Sequence, residues 1–203
     1  MREQTINKIK LAEKEYILGN ISLNEVCIKH KTDKFTFANY LRSKGISCRR
    51  KVFFDDTLFE DIDNEEKAYW LGFLFADGNI TYDLDKTKYK IELGLATIDY
   101  NHLEKYKTFL KYNKDIKFRS STNSCRIIVG SKKACEDLIK LGCTPKKSLI
   151  LKFPKNIRED LLSHFIRGYF DGDGSISICK NTNRLKTICI LGTLNFLKRI
   201  NNI

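Results

Sequence analysis

Two stretches of this 203-residue chain repeat one pattern at a fixed distance, and that repetition limits the possible folds more than any other feature. The first runs Tyr69-Trp70-Leu71-Gly72-Phe73-Leu74-Phe75-Ala76-Asp77-Gly78-Asn79-Ile80. The second runs Phe165-Ile166-Arg167-Gly168-Tyr169-Phe170-Asp171-Gly172-Asp173-Gly174-Ser175-Ile176. Gly72 aligns with Gly168, Ala76 with Gly172, Asp77 with Asp173 and Gly78 with Gly174, each pair 96 positions apart. Ile80 and Tyr82 align with Ile176 and Ile178 at the same offset, and Leu95-Ala96-Thr97 with Leu191-Gly192-Thr193. One Asp-Gly pair signals only a turn, but two in register with their surroundings argue for an internal duplication.

Gly72 and Ala76 lie four residues apart, as do Gly168 and Gly172, so each pair shares one helical face. Small residues at that spacing let two helix backbones approach closely, which makes these four positions the expected helix interface. Each helix is expected to end on an aspartate, followed by a glycine suited to a helix terminus. Two carboxylates, Asp77 and Asp173, then meet at the bottom of a helix pair. Each faces the negative end of a helix dipole, at a cost of about half a kcal/mol, and each repels the other. A divalent cation offsets both terms, and oxygen ligands suit Mg2+ (or Mn2+). Metals bridging carboxylates and a phosphate generate a hydroxide nucleophile and stabilise the leaving oxygen.

The segments LGFLFADG and IRGYFDGDG resemble the LAGLIDADG motif of homing endonucleases. That resemblance implies an α+β fold in which two motif helices form the central interface of two αββαββα halves, joined into a saddle. It also implies that the last acidic residue of each motif, Asp77 and Asp173, binds metal at the active centre. Asp171 stands where the first copy has Phe75, so it receives no catalytic role. The polar strand faces of such a saddle lie on the DNA major groove, which suggests Lys88, Lys90, Arg119 and Arg126 as DNA contacts. Family members often carry a basic residue near the segment Gly142–Ser148. Lys147 is the candidate for the active site, with Lys146 touching DNA phosphate.

The order of elements between the motifs agrees. Asn79–Asp83 and Lys88–Leu95 read as a hairpin, the second strand alternating Tyr89, Ile91, Leu93 and Leu95 with Lys88, Lys90 and Glu92. A helix is expected over Tyr100–Tyr112, a hairpin from Lys117–Ser121 and Cys125–Gly130, and a helix over Lys132–Leu141. The second copy is shorter. A hairpin of Ser175–Cys179 and Arg184–Leu191 and a helix over Asn195–Ile200 follow Asp173, with no second hairpin after them. The chain therefore reads as a fragment, a degenerating gene, or a protein whose saddle a second chain or a missing C-terminal segment completes.

The first fifty residues read as a compact helical unit. Ile9–Leu18 is a helix ended by Gly19-Asn20; Ser22 and Glu25 form a capping box for the next; Phe35–Ser43 is a third helix stopped by Gly45. This order resembles a helix-turn-helix, with Thr32, Lys34 and Thr36 at the start of the third helix facing the groove. The unit holds eleven Lys and Arg against five Asp and Glu. Residues 55–66 invert that balance, with seven acids and no base, and read as a linker. The expected organisation is 1–54 helix-turn-helix-like, 55–66 linker, 67–160 first repeat and 161–203 partial second repeat.

The whole chain has a formal net charge of +12, which favours a polyanionic partner. With this charge, the resemblance implies double-stranded DNA as the partner and a site-specific, metal-dependent endonuclease of the kind that serves intron homing. A non-catalytic DNA-binding regulator or an RNA-splicing maturase on the same fold remains the alternative. An EF-hand reading of Asp171-Gly172-Asp173 fails because Ile176 takes the required glycine position and Thr182 the glutamate position. Seven cysteines without a CxxC pair fit reduced core thiols better than a zinc site. With no membrane-length apolar run and no secretory leader, the expected location is intracellular and soluble.

Overall fold

The computed structural model describes residues 3–18, 21–46, 48, 52–154, 156–178 and 185–203. The chain divides into two compact units, 1–53 and 54–203.

In the first unit, helix α1 spans Glu3–Leu18, α2 Leu23–Lys29 and α3 Lys34–Ser43. Apolar residues at helical spacing on the three faces close one small core of Ile9, Ala12, Val26, Cys27, Phe37 and Leu41. The capping box is formed: Ser22 N donates to Glu25 Oε2 at 2.7 Å, and Glu25 N donates to Ser22 Oγ at 3.2 Å. Asp33 caps α3 by accepting from Thr36 N at 2.7 Å. Gly45, at φ 71°, ends α3 in the left-handed region where a side chain would strain. Glu13 ties α1 to α3 through Lys44 and the Tyr40 hydroxyl, and Glu15 ties α1 to α2 through Lys29 and His30. The expected stop at Gly19-Asn20 lies outside the described residues.

The second unit opens with α4 (Glu65–Ala76), β1 (Gly78–Asp83), β2 (Lys88–Ala96), α5 (Tyr100–Phe109), β3 (Lys117–Arg119), β4 (Ser124–Val129) and α6 (Lys132–Leu141). This is a complete αββαββα repeat. Its antiparallel sheet has the order β1-β2-β4-β3. Ile80, Ile91, Leu93, Cys125, Ile127 and Val129 fill one sheet face and are buried in the main core. Asn64 caps the start of α4 and Ser131 that of α6, while Gly142 at φ 104° ends α6. Helix α4 buries seven of its residues, Ala68 and Trp70 to Phe75, because it lies inside the unit rather than on its surface.

The second repeat follows as α7 (Leu162–Asp173), β5 (Gly174–Ile178), β6 (Leu185–Ile190) and α8 (Leu194–Asn201). Cys179 and Arg184, the expected strand ends, lie outside the described residues. The constant offset does not survive the hairpin. Gly78 pairs with Leu93, but Gly174 pairs with Ile190, one residue beyond the counterpart of Leu93. An irregularity between Ser177 and Ile178 absorbs the extra residue, as a bulge does.

Two expectations need correction. Residues 55–66 are not a free linker. Phe59 and Ile62 are buried in the main core, and Asp55, Asp56 and Glu60 bind Lys111, Ser131 and Lys133 at 2.9, 2.8 and 2.8 Å. Asp55 and Asp56 are half-buried against these partners, while Glu60 stays exposed. The glycines after the motif aspartates also serve another purpose. Neither Gly78 nor Gly174 is left-handed. The chain passes directly from helix to strand, and a Cβ would sit 2.5 Å from Leu74 O at Gly78 and 2.5 Å from Phe170 Cδ2 at Gly174. Space, not backbone freedom, demands glycine there.

Candidate active site and nucleic-acid interface

Helices α4 and α7 cross with their backbones touching. A Cβ on Gly72 would collide with the Phe165 carbonyl oxygen and stand 2.9 Å from Tyr169 N. One on Gly168 would collide with the Tyr69 carbonyl oxygen and stand 3.0 Å from Phe73 N. One turn later a Cβ on Gly172 would lie 2.5 Å from Ala76 Cβ. All four small residues thus sit in the interface, and Gly72 and Gly168 each face backbone that cannot move aside.

That crossing brings the helix ends together. Asp77 is the C-cap of α4, its N–H donating to Phe73 O at 2.9 Å. Its Oδ2 would be 3.1 Å from a Cβ on Gly172, the residue before Asp173. Burial raises the Asp77 carboxyl above the ordinary value, the Asp173 charge raises it further, and Lys147 opposes both. Asp77 as a whole residue remains exposed, so its carboxylate meets dense protein on one side and solvent on the other.

Lys147 is buried. Its Nζ donates to the carbonyl oxygens of Ala76, at 3.0 Å, and of Gly78. The two acceptors flank Asp77, and the first is among the carbonyls that a helix C-terminus leaves unpaired. The ammonium therefore braces the turn that carries Asp77 and keeps one N–H for another acceptor. Lys146, at φ 54°, is exposed.

The sheet face opposite the core is set by the period of two along each strand. Thr81 pairs with Lys90, Asp83 with Lys88, Gly94 with Arg126, and Arg126 in turn with Lys117; Arg119 pairs with Ser124. Lys88, Lys90, Arg119 and Arg126 thus share one face, as the sequence suggested. Lys117 shares it too, a position the sequence reading missed although its alternation with Arg119 signals it. Arg126 is paired with Glu92 at 2.9 Å. Among the described residues, Lys88, Lys90, Lys117 and Arg119 carry no ion pair. On the second hairpin the corresponding face presents Ser175, Ser177, Thr187 and Cys189, all exposed and uncharged.

In the first unit Lys34 and Thr36 are exposed at the start of α3. Thr32 differs: its Oγ1 is enclosed without a hydrogen-bond partner. The face of α3 that runs through Phe35, Asn39 and Arg42 is exposed, with Arg42 donating to Asn39 Oδ1 at 2.8 Å.

The repeated αββ unit, the glycine-lined helix pair and the two terminal aspartates are the arrangement that the resemblance to LAGLIDADG homing endonucleases implied. Two solved structures of that class are similar to the chain. One is the I-LtrWI LAGLIDADG homing endonuclease bound to target DNA, 14% identical with a TM-score of 0.35, matching 62% of this chain and 65% of that one. The other is the LAGLIDADG meganuclease I-CpaMI bound to uncleaved DNA, 16% identical with a TM-score of 0.36, matching 62% and 67%. In sequence the chain is 37% identical over 124 residues to a replication factor C small subunit of Methanocaldococcus jannaschii. The match takes 59% of this chain and spans 6% of that protein. No protein-family profile matches the chain. Among the described residues no helix is long and apolar enough to cross a membrane.

Proposed function

We propose that the chain binds double-stranded DNA and hydrolyses its phosphodiester bonds with the help of magnesium. The observation that carries this reading is the packing of the Asp77 carboxylate against Gly172, next to Asp173, in a unit whose sheet face carries Lys88, Lys90, Lys117 and Arg119 without ion pairs among the described residues. Two like charges at helix C-termini are unfavourable, and the Lys147 ammonium offsets only part of that cost, since the Asp77 carboxyl stays raised. Among the described residues no group of three or more His, Cys, Asp or Glu side chains is placed to hold a metal. Two carboxylates with water and a substrate phosphate completing the shell suit magnesium, which binds in this sparse manner. When bound, the ion would activate water and stabilise charge on the leaving oxygen.

The chain's own groups have the following parts in this proposal. Asp77 and Asp173 would hold the ion. Lys147 braces the Asp77 turn and supplies positive charge beside it. Lys88, Lys90, Lys117 and Arg119 bind the DNA backbone, with Arg126 sharing its charge with Glu92. Lys146 adds a phosphate contact, and Lys34 and Thr36 on α3 bind a separate stretch of duplex.

The test is cleavage of a randomised DNA library by the parent chain and by Asp77→Asn, with magnesium and with EDTA. Magnesium-dependent products from the parent only are expected. Equal cutting by Asp77→Asn would remove the catalytic claim. DNA binding without cutting by either would favour a non-catalytic regulator. Replacing Lys88 and Lys90 with alanine should reduce the slope of log affinity against log salt by about 0.9 for each phosphate left without its lysine.

A further inference from the structure

Asp171 has no part in the reading above. By the repeat offset its counterpart is Phe75, and the counterpart of Tyr69 is Phe165. The helix pair therefore makes one cross-helix contact twice, with different chemistry. On one side Phe75 and Phe165 meet edge-on, centroids 5.2 Å apart, both buried. On the other the Tyr69 hydroxyl donates to Asp171 Oδ2 at 2.6 Å. Among the described residues this is the one side-chain hydrogen bond that joins α4 to α7; His164 Nε2 on α7 approaches Glu65 Oε1 on α4 more loosely, at 3.6 Å, at the other end of the pair.

A third residue completes the contact. His102 Nε2, from α5, lies 3.1 Å from the Tyr69 hydroxyl oxygen. A phenol has a single O–H, and Tyr69 directs it at the carboxylate. The imidazole must then donate through Nε2–H, so its tautomer is fixed. The chain His102 to Tyr69 to Asp171 ties three helices, and the Arg167 guanidinium lies over the Tyr69 ring at 5.0 Å. The rings of Trp70 and Phe73, 5.0 and 4.7 Å from that of His102, hold the imidazole in place. Burial first, and the bond to Asp171 second, push the Tyr69 hydroxyl up, so it stays a donor.

We propose that the Tyr69–Asp171 hydrogen bond, backed by His102, is a latch that fixes the setting of α7 on α4 and thereby the approach of Asp173 to Asp77. The glycine crossing brings the backbones close but supplies no directional force, and the Phe75–Phe165 contact is apolar and non-directional as well. A hydrogen bond has both a length and an angle. Asp171 lies two residues before Asp173, about 3 Å along the same helix, so any rotation permitted at one is passed to the other. Tyr69 and Asp171 are positioning residues; they act through the aspartate pair. The inference rests on the metal reading of that pair.

The test uses the full chain with Tyr69→Phe, Asp171→Leu and Asp171→Asn. Mn2+ affinity is read by the EPR signal of the free ion, duplex affinity by titration, and amide exchange over Tyr169–Asp173 without metal. Tyr69→Phe and Asp171→Leu should weaken Mn2+ binding roughly tenfold, as loss of a ligand's supporting partner does, and speed exchange, with duplex affinity unchanged. In Asp171→Asn the amide oxygen still accepts the phenol proton, so both readings should stay near the parent. Parental exchange in Tyr69→Phe, a variant lacking one oxygen, would overturn the latch whether or not a cation binds. Asp171→Asn as impaired as Asp171→Leu would also overturn it, since charge and not the bond would then matter. A parent that binds no Mn2+ while Tyr69→Phe still exchanges faster would overturn the metal reading and leave the latch standing.

Discussion

In the first repeat Ile80, Ile91 and Leu93 are 4%, 2% and 0% exposed, packed within the main core alongside residues of α5 and α6. In the second, Ile176, Ile178 and Ile188 occupy the matching hairpin face and are 58%, 55% and 57% exposed. The alternation that marks these strands is the same in both. An apolar stripe names the face that would be buried, but burial comes from the next layer laid over it. The outer faces differ as well: Lys88 and Lys90 lie on the first hairpin, Ser175, Ser177, Thr187 and Cys189 on the second. What the repeats keep in common is the helix pair and its aspartates.

The strongest challenge to that common element is Gly168→Val. The side chain would strike the Tyr69 carbonyl, and stability should fall by about 3 kcal/mol or more, beyond ordinary overpacking because backbone is struck. Calorimetric melting measures this; a melting temperature near the parent's would mean that the helices do not cross so closely. Cutting should fall as well, since a shift of about an ångström costs on the order of a hundredfold when groups must converge.

Asp77→Asn separates chemistry from packing within the same element. Cutting should drop by roughly a hundredfold or more, at least the loss seen when only a ligand's partner is removed. Stability should move the other way. Burial and Asp173 raise this carboxyl in the folded state, so its contribution is present while it is protonated and is lost as pH rises through the folded-state value. At neutral pH without metal, the amide should therefore melt higher than the parent. A lower melting temperature would show that the carboxylate is not under repulsion.

The contrast between hairpins is tested by paired truncations. Ile91→Ala should cost about 2–4 kcal/mol as a buried residue, whereas Ile188→Ala should stay within about 0.5 kcal/mol. Equal losses under denaturant would mean that the second face is covered in solution.

The smallest effect concerns the acidic segment. Lys111 first, and Thr57 second, hold the Asp55 carboxyl at about 2. Its contribution is present above the ordinary carboxylate value and is lost as pH falls toward 2. Asp55→Asn should cost about 1 kcal/mol at neutral pH, discounted for partial solvent exposure, and little once the pH is below about 2. A pH-independent loss would assign the effect to packing.

Local chemistry wrote much of the fold into the sequence. Helix α6 spans Lys132–Leu141 as its periodicity requires, the Ser22–Glu25 capping box forms, and the strands lie within two residues of their alternating runs. Each depends on neighbours a few positions away. The duplication likewise located the paired helices, because Gly72, Ala76, Gly168 and Gly172 state the close approach themselves. Other features depend on partners far along the chain. The acids of 55–66 have the composition of a solvated linker, and only folding brings Lys111, Ser131 and Lys133 beside them. Lys147 has the reach to touch a phosphate, yet the carbonyls of Ala76 and Gly78 enclose its ammonium. Asp171 has no counterpart in the first motif, and only the crossing of α4 and α7 sets it against Tyr69. Sequence by itself determined the elements, the repeat and the aspartates, since these follow from period, capping and side-chain size. Tertiary structure decided which charges are neutralised and which apolar faces are covered, because hydrogen bonds and burial act over a few ångströms between residues that the chain separates by scores of positions.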